Sequence, residues 1–374
     1  MTNSLHEITL AGLRTKLDTG DVTAVDLTAA YIAMIEGYDA ELGSVIEVNP
    51  DALDIAAQLD EEQARQGPRS PLHGIPILLK DNIDTDDRMM TTAGSLALLG
   101  SRPAQDATVT AQLRAAGAII LGKANLSEWA NFRSTKSISG WSARGGQCRN
   151  PYRLTHNPCG SSSGSAAAVS ANLAPVSLGT ETDGSIVCPG SACGIVGIKP
   201  TVGLTSRAGV IPIAHSQDTV GPMARTVADA ALVLGFLTGV DPRDAATSAS
   251  ENRLHRDYTV FLDPEGLRGA RIGVARKRFF GYHEPTDRLI EAAIQAMREA
   301  GAEIIDPADI PTAEDERMGE CELTVLLTEF KADIAAYLAT RTPVPADLPH
   351  PRTLEDLIRF NQDYADLEMP FFGQ

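Results

Sequence analysis

Two serine-bearing turns and one lysine are the residues of this chain best suited to chemistry. The first turn is Asn157-Pro-Cys-Gly-Ser-Ser-Ser-Gly-Ser-Ala-Ala-Ala-Val169, a glycine/serine loop running straight into an alanine-rich helix. The second is Gly179-Thr-Glu-Thr-Asp-Gly-Ser-Ile-Val187, which sets a lone serine on a tight Asp-Gly turn after an apolar strand. The lysine is Lys80, at the end of the aliphatic run Gly74-Ile-Pro-Ile-Leu-Leu-Lys80. A serine hydroxyl becomes a competent nucleophile only when a base takes its proton during attack. The seven histidines, at 6, 73, 156, 215, 255, 283 and 350, stand in no triad context, which leaves lysine as the base. A lysine can serve only when neutral, and burial in an apolar environment pulls its pKa down from about 10.4. Lys80 fits, provided that Asp81 points away from the amine, as alternation along an extended strand allows.

The elements that must hold these residues are legible around them. Leu10, Leu13 and Leu17, then Val25, Leu27, Tyr31, Ile32, Met34 and Ile35, recur at helical spacing, with Thr23 as N-cap of the second run. A third helix opens at Pro50-Asp51 and ends at Gly67-Pro68. Residues 75–79 and 119–121 read as buried strands with a helix over 108–116 between them, and 175–178 as a strand after the helix 164–172. Further strands are expected at 271–275 and 303–305, flanking a helix over 286–300, and a last helix at 353–367. Strands alternating with helices predict an α/β fold, a central mixed β-sheet covered on both faces by α-helices. We expect a single domain over 1–374: N-terminal helices 1–70, a loop-rich core 71–240 and a C-terminal part 241–374.

Lys+Arg 32 against Asp+Glu 49 leaves a net charge of −17. Such a field repels phosphate backbones and anionic lipid, so neither nucleic acid nor a membrane surface is expected as a direct partner. The start of the chain lacks the basic and apolar regions of a signal peptide, and no apolar run approaches the ~18 residues of a membrane span. The five cysteines, 148, 159, 188, 193 and 321, are odd in number, without zinc-like spacing, and read as reduced buried residues. These features together predict a cytoplasmic protein without metal or cofactor.

Six motifs in order resemble the amidase signature family: Gly74-Ile-Pro-Ile-Leu-Leu-Lys80-Asp, Gly122-Lys-Ala-Asn125, Gly160-Ser161-Ser162-Ser-Gly164-Ser, Thr182-Asp-Gly-Ser185-Ile, Gly194-Ile-Val-Gly-Ile-Lys199-Pro-Thr and Gln217-Asp-Thr-Val-Gly-Pro222. The resemblance runs from about residue 5 to about 240. The two serine stretches are most similar to the family's peptide-amidase branch, which removes the C-terminal amide of peptides. It implies a Ser–cis-Ser–Lys triad with Ser185 as nucleophile, Ser161 as the bridging serine after a cis peptide bond, and Lys80 as base. It further implies an oxyanion hole from the main chain of Thr182, Asp183, Gly184 and Ser185, an acyl-enzyme, and release of ammonia from a carboxamide. Lys123 and Asn125 then serve structure, and Asp218 positions the catalytic loop. Walls of the substrate pocket are expected in residues 129–136, with Trp129, Asn131 and Ser134, and in the loop 206–216.

Two departures qualify the resemblance. Val187 stands where most of the family places arginine, which disfavours the glutaminase subunit of an aminoacyl-tRNA amidotransferase, the alternative within the family. Family members also usually continue beyond this length, and the chain stops at Met369-Pro-Phe-Phe-Gly-Gln374. A truncated chain, or a short form covered by a homo-oligomer or partner, is therefore expected, and a non-catalytic member of the family is a further alternative.

Overall fold

The computed structural model describes residues 5–100, 102–342, 345 and 348–374, so Met1–Ser4 of the stretch read for a signal peptide lie outside the described residues. Three helices open the chain where the apolar spacing places them. Thr9 caps α1 (Leu10–Thr19) by accepting from Gly12 N at 3.1 Å. On α2 (Ala24–Leu42), Thr23 and Asp26 close a reciprocal capping box. After the short strand β1 (Val45–Val48), α3 (Ala52–Gln66) ends at Gly67. Leu10, Leu13, Leu27, Tyr31, Ala56 and Leu59 bury the inner faces of these helices in the main core.

Strands and helices then alternate: β2 (Pro76–Lys80), α4 (Thr108–Ala115), β3 (Ile119–Ala124), a short hairpin β4 (Trp141–Ser142) and β5 (Gly146–Gln147), α5 (Ser163–Ser170), β6 (Val176–Glu181), α6 (Val187–Ala192), β7 (Val196–Gly197), β8 (Thr219–Ala224) and α7 (Val227–Leu237). Six strands form one sheet in the order β1-β3-β2-β6-β8-β7. The three consecutive strands β3, β2 and β6 are parallel; β1, β8 and β7 each run antiparallel to the neighbours they pair with. Every residue of β2, β3, β6 and β8 is buried. Successive side chains on a strand point to opposite faces, so both faces of this mixed sheet are covered, as expected. The strand at 219–224 is not among those expected from the sequence, and it carries Gly221 and Pro222. Gly221 is needed there, since a Cβ would collide with the Ile198 carbonyl of the neighbouring chain segment.

Where one domain is expected, the chain divides into two compact units, 1–257 with 329–374, and 258–328. The second unit pairs β9 (Arg271–Gly273) in parallel with β10 (Glu303–Ile305), joined by α8 (Glu284–Glu299). The unit boundary at 328/329 falls within α9 (Arg317–Ala339), and α10 (Leu354–Asp363) and α11 (Ala365–Glu368) follow. In the first unit the terminal phenylalanines pack back on the molecule. Phe372 is buried under the Arg133 guanidinium, 4.4 Å from its ring, and both Phe371 and Phe372 meet Trp141 edge-on at 5.6 Å. No helix among the described residues is long and apolar enough to cross a membrane.

One expectation about the cysteines is overturned. Cys159 and Cys188 form a disulfide across 29 positions with their Cα atoms 6.0 Å apart, while Cys148, Cys193 and Cys321 are free. Both bonded residues flank serine turns that the fold brings side by side, a neighbourhood that spacing along the chain does not reveal. Disulfides persist mainly in oxidising compartments, so the cysteines no longer support a cytoplasmic location. Closing a loop of this length is worth about 3–4 kcal/mol in the chain-entropy account. The double substitution Cys159→Ser with Cys188→Ser is expected to lower the unfolding free energy by an amount of that order, read as a fall in the urea midpoint; an unchanged midpoint would show that the bond does not form in solution.

Candidate active site

Parallel pairing of β2 with β6 brings the carboxyl ends of two strands together, the place where open α/β sheets present reactive groups. Lys80 is the last residue of β2 and is fully buried. Its Nζ lies 2.7 Å from Ser161 Oγ, 2.8 Å from Thr180 Oγ1 and 3.2 Å from the Thr180 carbonyl on β6. Burial pulls the amine down to about 7, a fall that the negative charges of Asp218 and Glu181 partly oppose. Asp81 turns the other way: it pairs with Arg144 at 3.2 Å and accepts from Thr92 Oγ1 and from Gly94 N. The strand alternation anticipated for this residue holds.

Ser161 is buried behind the cis peptide bond Gly160–Ser161. Its carbonyl accepts from Ser127 N at 3.1 Å. Gly160 is obligatory in this turn, because a Cβ would run into Ser127 Oγ and, at 2.8 Å, Ser163 Oγ. Ser162 takes a different part. Its Oγ donates to Thr180 O at 3.0 Å, and its N–H donates to the Ser185 carbonyl at 3.1 Å. The side-chain link thus runs from Lys80 to Ser161, and Ser185 joins them through the main chain.

Ser185 is buried on a turn whose Gly184 has φ +78°, a conformation that favours glycine. Two carboxylates fix this turn. Glu181 accepts from Ile186 N at 2.7 Å and Val187 N at 2.9 Å, holding the start of α6 directly after Ser185. Asp218 accepts from Thr182 Oγ1 at 2.5 Å and from the N–H groups of Ile213 and Ala214. Asp218 therefore ties the Thr182–Ser185 turn, through the Thr182 hydroxyl, to the 206–216 loop, through the main-chain N–H groups of Ile213 and Ala214. Lys123 and Asn125 also serve structure: Lys123 Nζ donates to Ile83 O and Thr91 Oγ1, and Asn125 Nδ2 to Gly43 O.

The residues expected in the pocket wall are placed unequally. Trp129 is buried in an apolar cluster with Leu126, Ile211 and Phe330, and its main-chain N–H donates to Ala93 O. Asn131 comes nearest the serine turn, its Nδ2 3.5 Å from where a Cβ on Gly160 would sit. Trp129, Ala130 and Asn131 are all left-handed, with φ of 50°, 55° and 69°. Ser134 Oγ accepts from Lys136 N at 3.2 Å, within its own turn. The 206–216 loop lines a cleft of about 440 Å³ with Arg207, Pro212, His215, Asp218, Asp333 and Tyr337. At its edge His215, Glu329 and Asp333 come within reach of a common ion. However, His215 Nδ1 faces Asp333 at 2.8 Å and Nε2 faces Glu329 at 3.5 Å, which is an arrangement of ion pairs.

Thr180, Glu181 and Asn82 are not singled out by sequence reasoning. Asn82 follows Lys80 by two residues, is 2% exposed, and donates from Nδ2 to Thr180 Oγ1 at 3.0 Å. The signal available for all three is their proximity in sequence to Lys80 and Ser185.

The Amidase family model matches residues 26–361 of the chain. The chain belongs to the amidase family. The structure of native peptide amidase from Stenotrophomonas maltophilia superposes with a TM-score of 0.93 at 52% identity, over 99% of this chain and 74% of that one. A protein of Arabidopsis thaliana described as a probable amidase is 46% identical over 372 residues, 98% of this chain and 70% of its own length. A glutamyl-tRNA(Gln) amidotransferase subunit from Chloroflexus aurantiacus is 43% identical over 305 residues, 81% of this chain and 60% of that protein. The amidase-family chain thus spans between 60% and 74% of the length of these three proteins.

Proposed function

We propose that this amidase hydrolyses unsubstituted carboxamides, with the C-terminal amide of peptides as the main substrate, through an acyl-enzyme on Ser185. The observation that carries this reading is the buried Lys80 amine, lowered to about 7 and 2.7 Å from Ser161 Oγ. Ser185 Oγ attacks the carboxamide carbon as its proton passes to Ser161 and the Ser161 proton passes to Lys80. Main-chain N–H groups of Thr182, Asp183, Gly184 and Ser185 receive the oxyanion, a contribution of about 10²–10³ per donor in other acyl-transfer enzymes. The N-terminus of α5, next to Ser161, adds a favourable dipole. Collapse of the intermediate breaks the C–N bond, and ammonia leaves with the proton that Lys80 returns through Ser161. Water then cleaves the ester by the same relay.

Preference for peptide amides is supported by the likeness to peptide amidase and by Val187 in place of the family's usual arginine. Ammonia release from amidated peptides, glutamine, and simple aliphatic and aromatic amides tests it. The highest kcat/KM is expected on amidated peptides. Preference for glutamine together with a co-purifying subunit would favour the amidotransferase reading, and failure on every amide would favour a non-catalytic chain.

The base must be neutral in the free enzyme, so kcat/KM is expected to rise as pH climbs through about 7. A pH-rate profile without an acid limb near neutrality would remove Lys80 from this role.

A further inference from the structure

A neutral amine has two N–H bonds and one lone pair in tetrahedral array, and it acts as a base only where that lone pair points. Lys80 Nζ has three oxygen neighbours: Thr180 O, Thr180 Oγ1 and Ser161 Oγ. If both N–H groups go to Thr180, the lone pair is left for Ser161. The carbonyl of Thr180 is fixed by β6, but its hydroxyl is not, because rotation about χ1 can exchange Oγ1 for the methyl group. The group that holds Oγ1 in place is Asn82, whose Nδ2 donates to it at 3.0 Å.

We infer that Asn82 is a positioning residue for the base: by holding the Thr180 hydroxyl against Lys80, it leaves the Lys80 lone pair directed at Ser161. This rests on the triad proposed above. A second observation sets Asn82 apart from ordinary packing. Its Oδ1 is buried with no hydrogen-bond partner among the described residues, and Asn82 shares a small cavity with the apolar residues Trp129 and Ile211. A buried acceptor without a partner is destabilising, so an apolar residue would stabilise this site better. What the asparagine supplies is its N–H on Thr180.

The charged surroundings allow a sharp test. Glu181, from the end of β6, and Asp218, from the loop before β8, are the carboxylates that act on Lys80, and both are engaged by main-chain N–H groups. Asp81 is turned to Arg144. An aspartate at 82 would add a carboxylate on the Thr180 side and favour the charged amine.

The experiment is steady-state ammonia release from an amidated dipeptide, followed across neutral and alkaline pH, for Asn82→Ala, Asn82→Asp, Thr180→Val, Thr180→Ser and the double variant Asn82→Ala/Thr180→Val. Asn82→Ala and Thr180→Val are each expected to lower kcat about 10- to 100-fold with KM within about twofold, part of the ~10²–10⁴ that general-base catalysis supplies. Thr180→Ser should retain most of the rate. The double variant should be no worse than Thr180→Val, because Asn82 acts through Thr180. In Asn82→Asp the acid limb should move up by about one to three units, with the rate recovering at alkaline pH. Additive losses in the double variant, or an Asn82→Asp profile that superimposes on the parent, would overturn the inference. Should Asn82→Ala fail to fold, the near-isosteric Asn82→Asp profile decides. Turnover retained in Lys80→Met would instead bring down the triad itself, a result that these variants do not produce.

Discussion

Ser185→Ala is expected to lower amide hydrolysis by about five to six orders of magnitude, the scale seen when the nucleophile of a serine hydrolase is removed. Ser185 is the buried hydroxyl on the Gly184 turn, its carbonyl is bound by Ser162 N, and Glu181 and Asp218 hold the turn from two sides. None of those restraints involves the Ser185 hydroxyl, so the variant should keep its fold and its affinity for substrate. Single-turnover assays with mass detection of the acyl-enzyme would check both points. The parent should gain the acyl mass on Ser185 and the variant should not. An acyl adduct on Ser161 or Ser162 in either protein would sink the assignment.

Lys80→Met should abolish turnover almost as completely while stabilising the fold. Methionine keeps the length of the side chain and removes the amine. The sign follows from the lowered pKa. The folded value is about 7 against 10.5 for the free side chain, so between these two the unfolded chain binds more protons than the native one. Native stability therefore rises with pH across that window, and the penalty of the buried amine is complete below about 7. At about 1.36 kcal/mol per unit, removing it is expected to gain on the order of 4–5 kcal/mol at neutral pH, with some of that offset by lost contacts to Thr180. The gain should shrink as pH rises toward the free lysine value. Urea midpoints of parent and variant at neutral and at alkaline pH measure this directly. A variant less stable than its parent at neutral pH would show that the amine is not the desolvated group described above. Under the proposed triad, stability is given up at this position because the chemistry needs a group that the fold would rather exclude.

The disulfide fits the same picture of a site held by its neighbours. Cys159 lies two residues before Ser161 and Cys188 three residues after Ser185, so the bond fastens the two serine turns to each other outside the reacting groups.

Much of this protein can be told from local pattern and steric need. The helices at the start, the aliphatic run that buries Lys80 and the alternation that turns Asp81 away are all of this kind. The six ordered motifs carried the family and the three residues proposed as the triad. The remainder comes from packing in three dimensions. Thr180 became a partner of Lys80, and Asn82 a partner of Thr180, because β2 and β6 pair in parallel, with Leu79 opposite Leu178. Glu181 became the clamp of the Ser185 turn because it ends the same strand. Cys159 and Cys188 became bonded because the turn before α5 and the first turn of α6, 29 positions apart in the chain, come together in the fold. Strand order and register are settled by burial summed over the whole sheet, and no local stretch of sequence contains that sum.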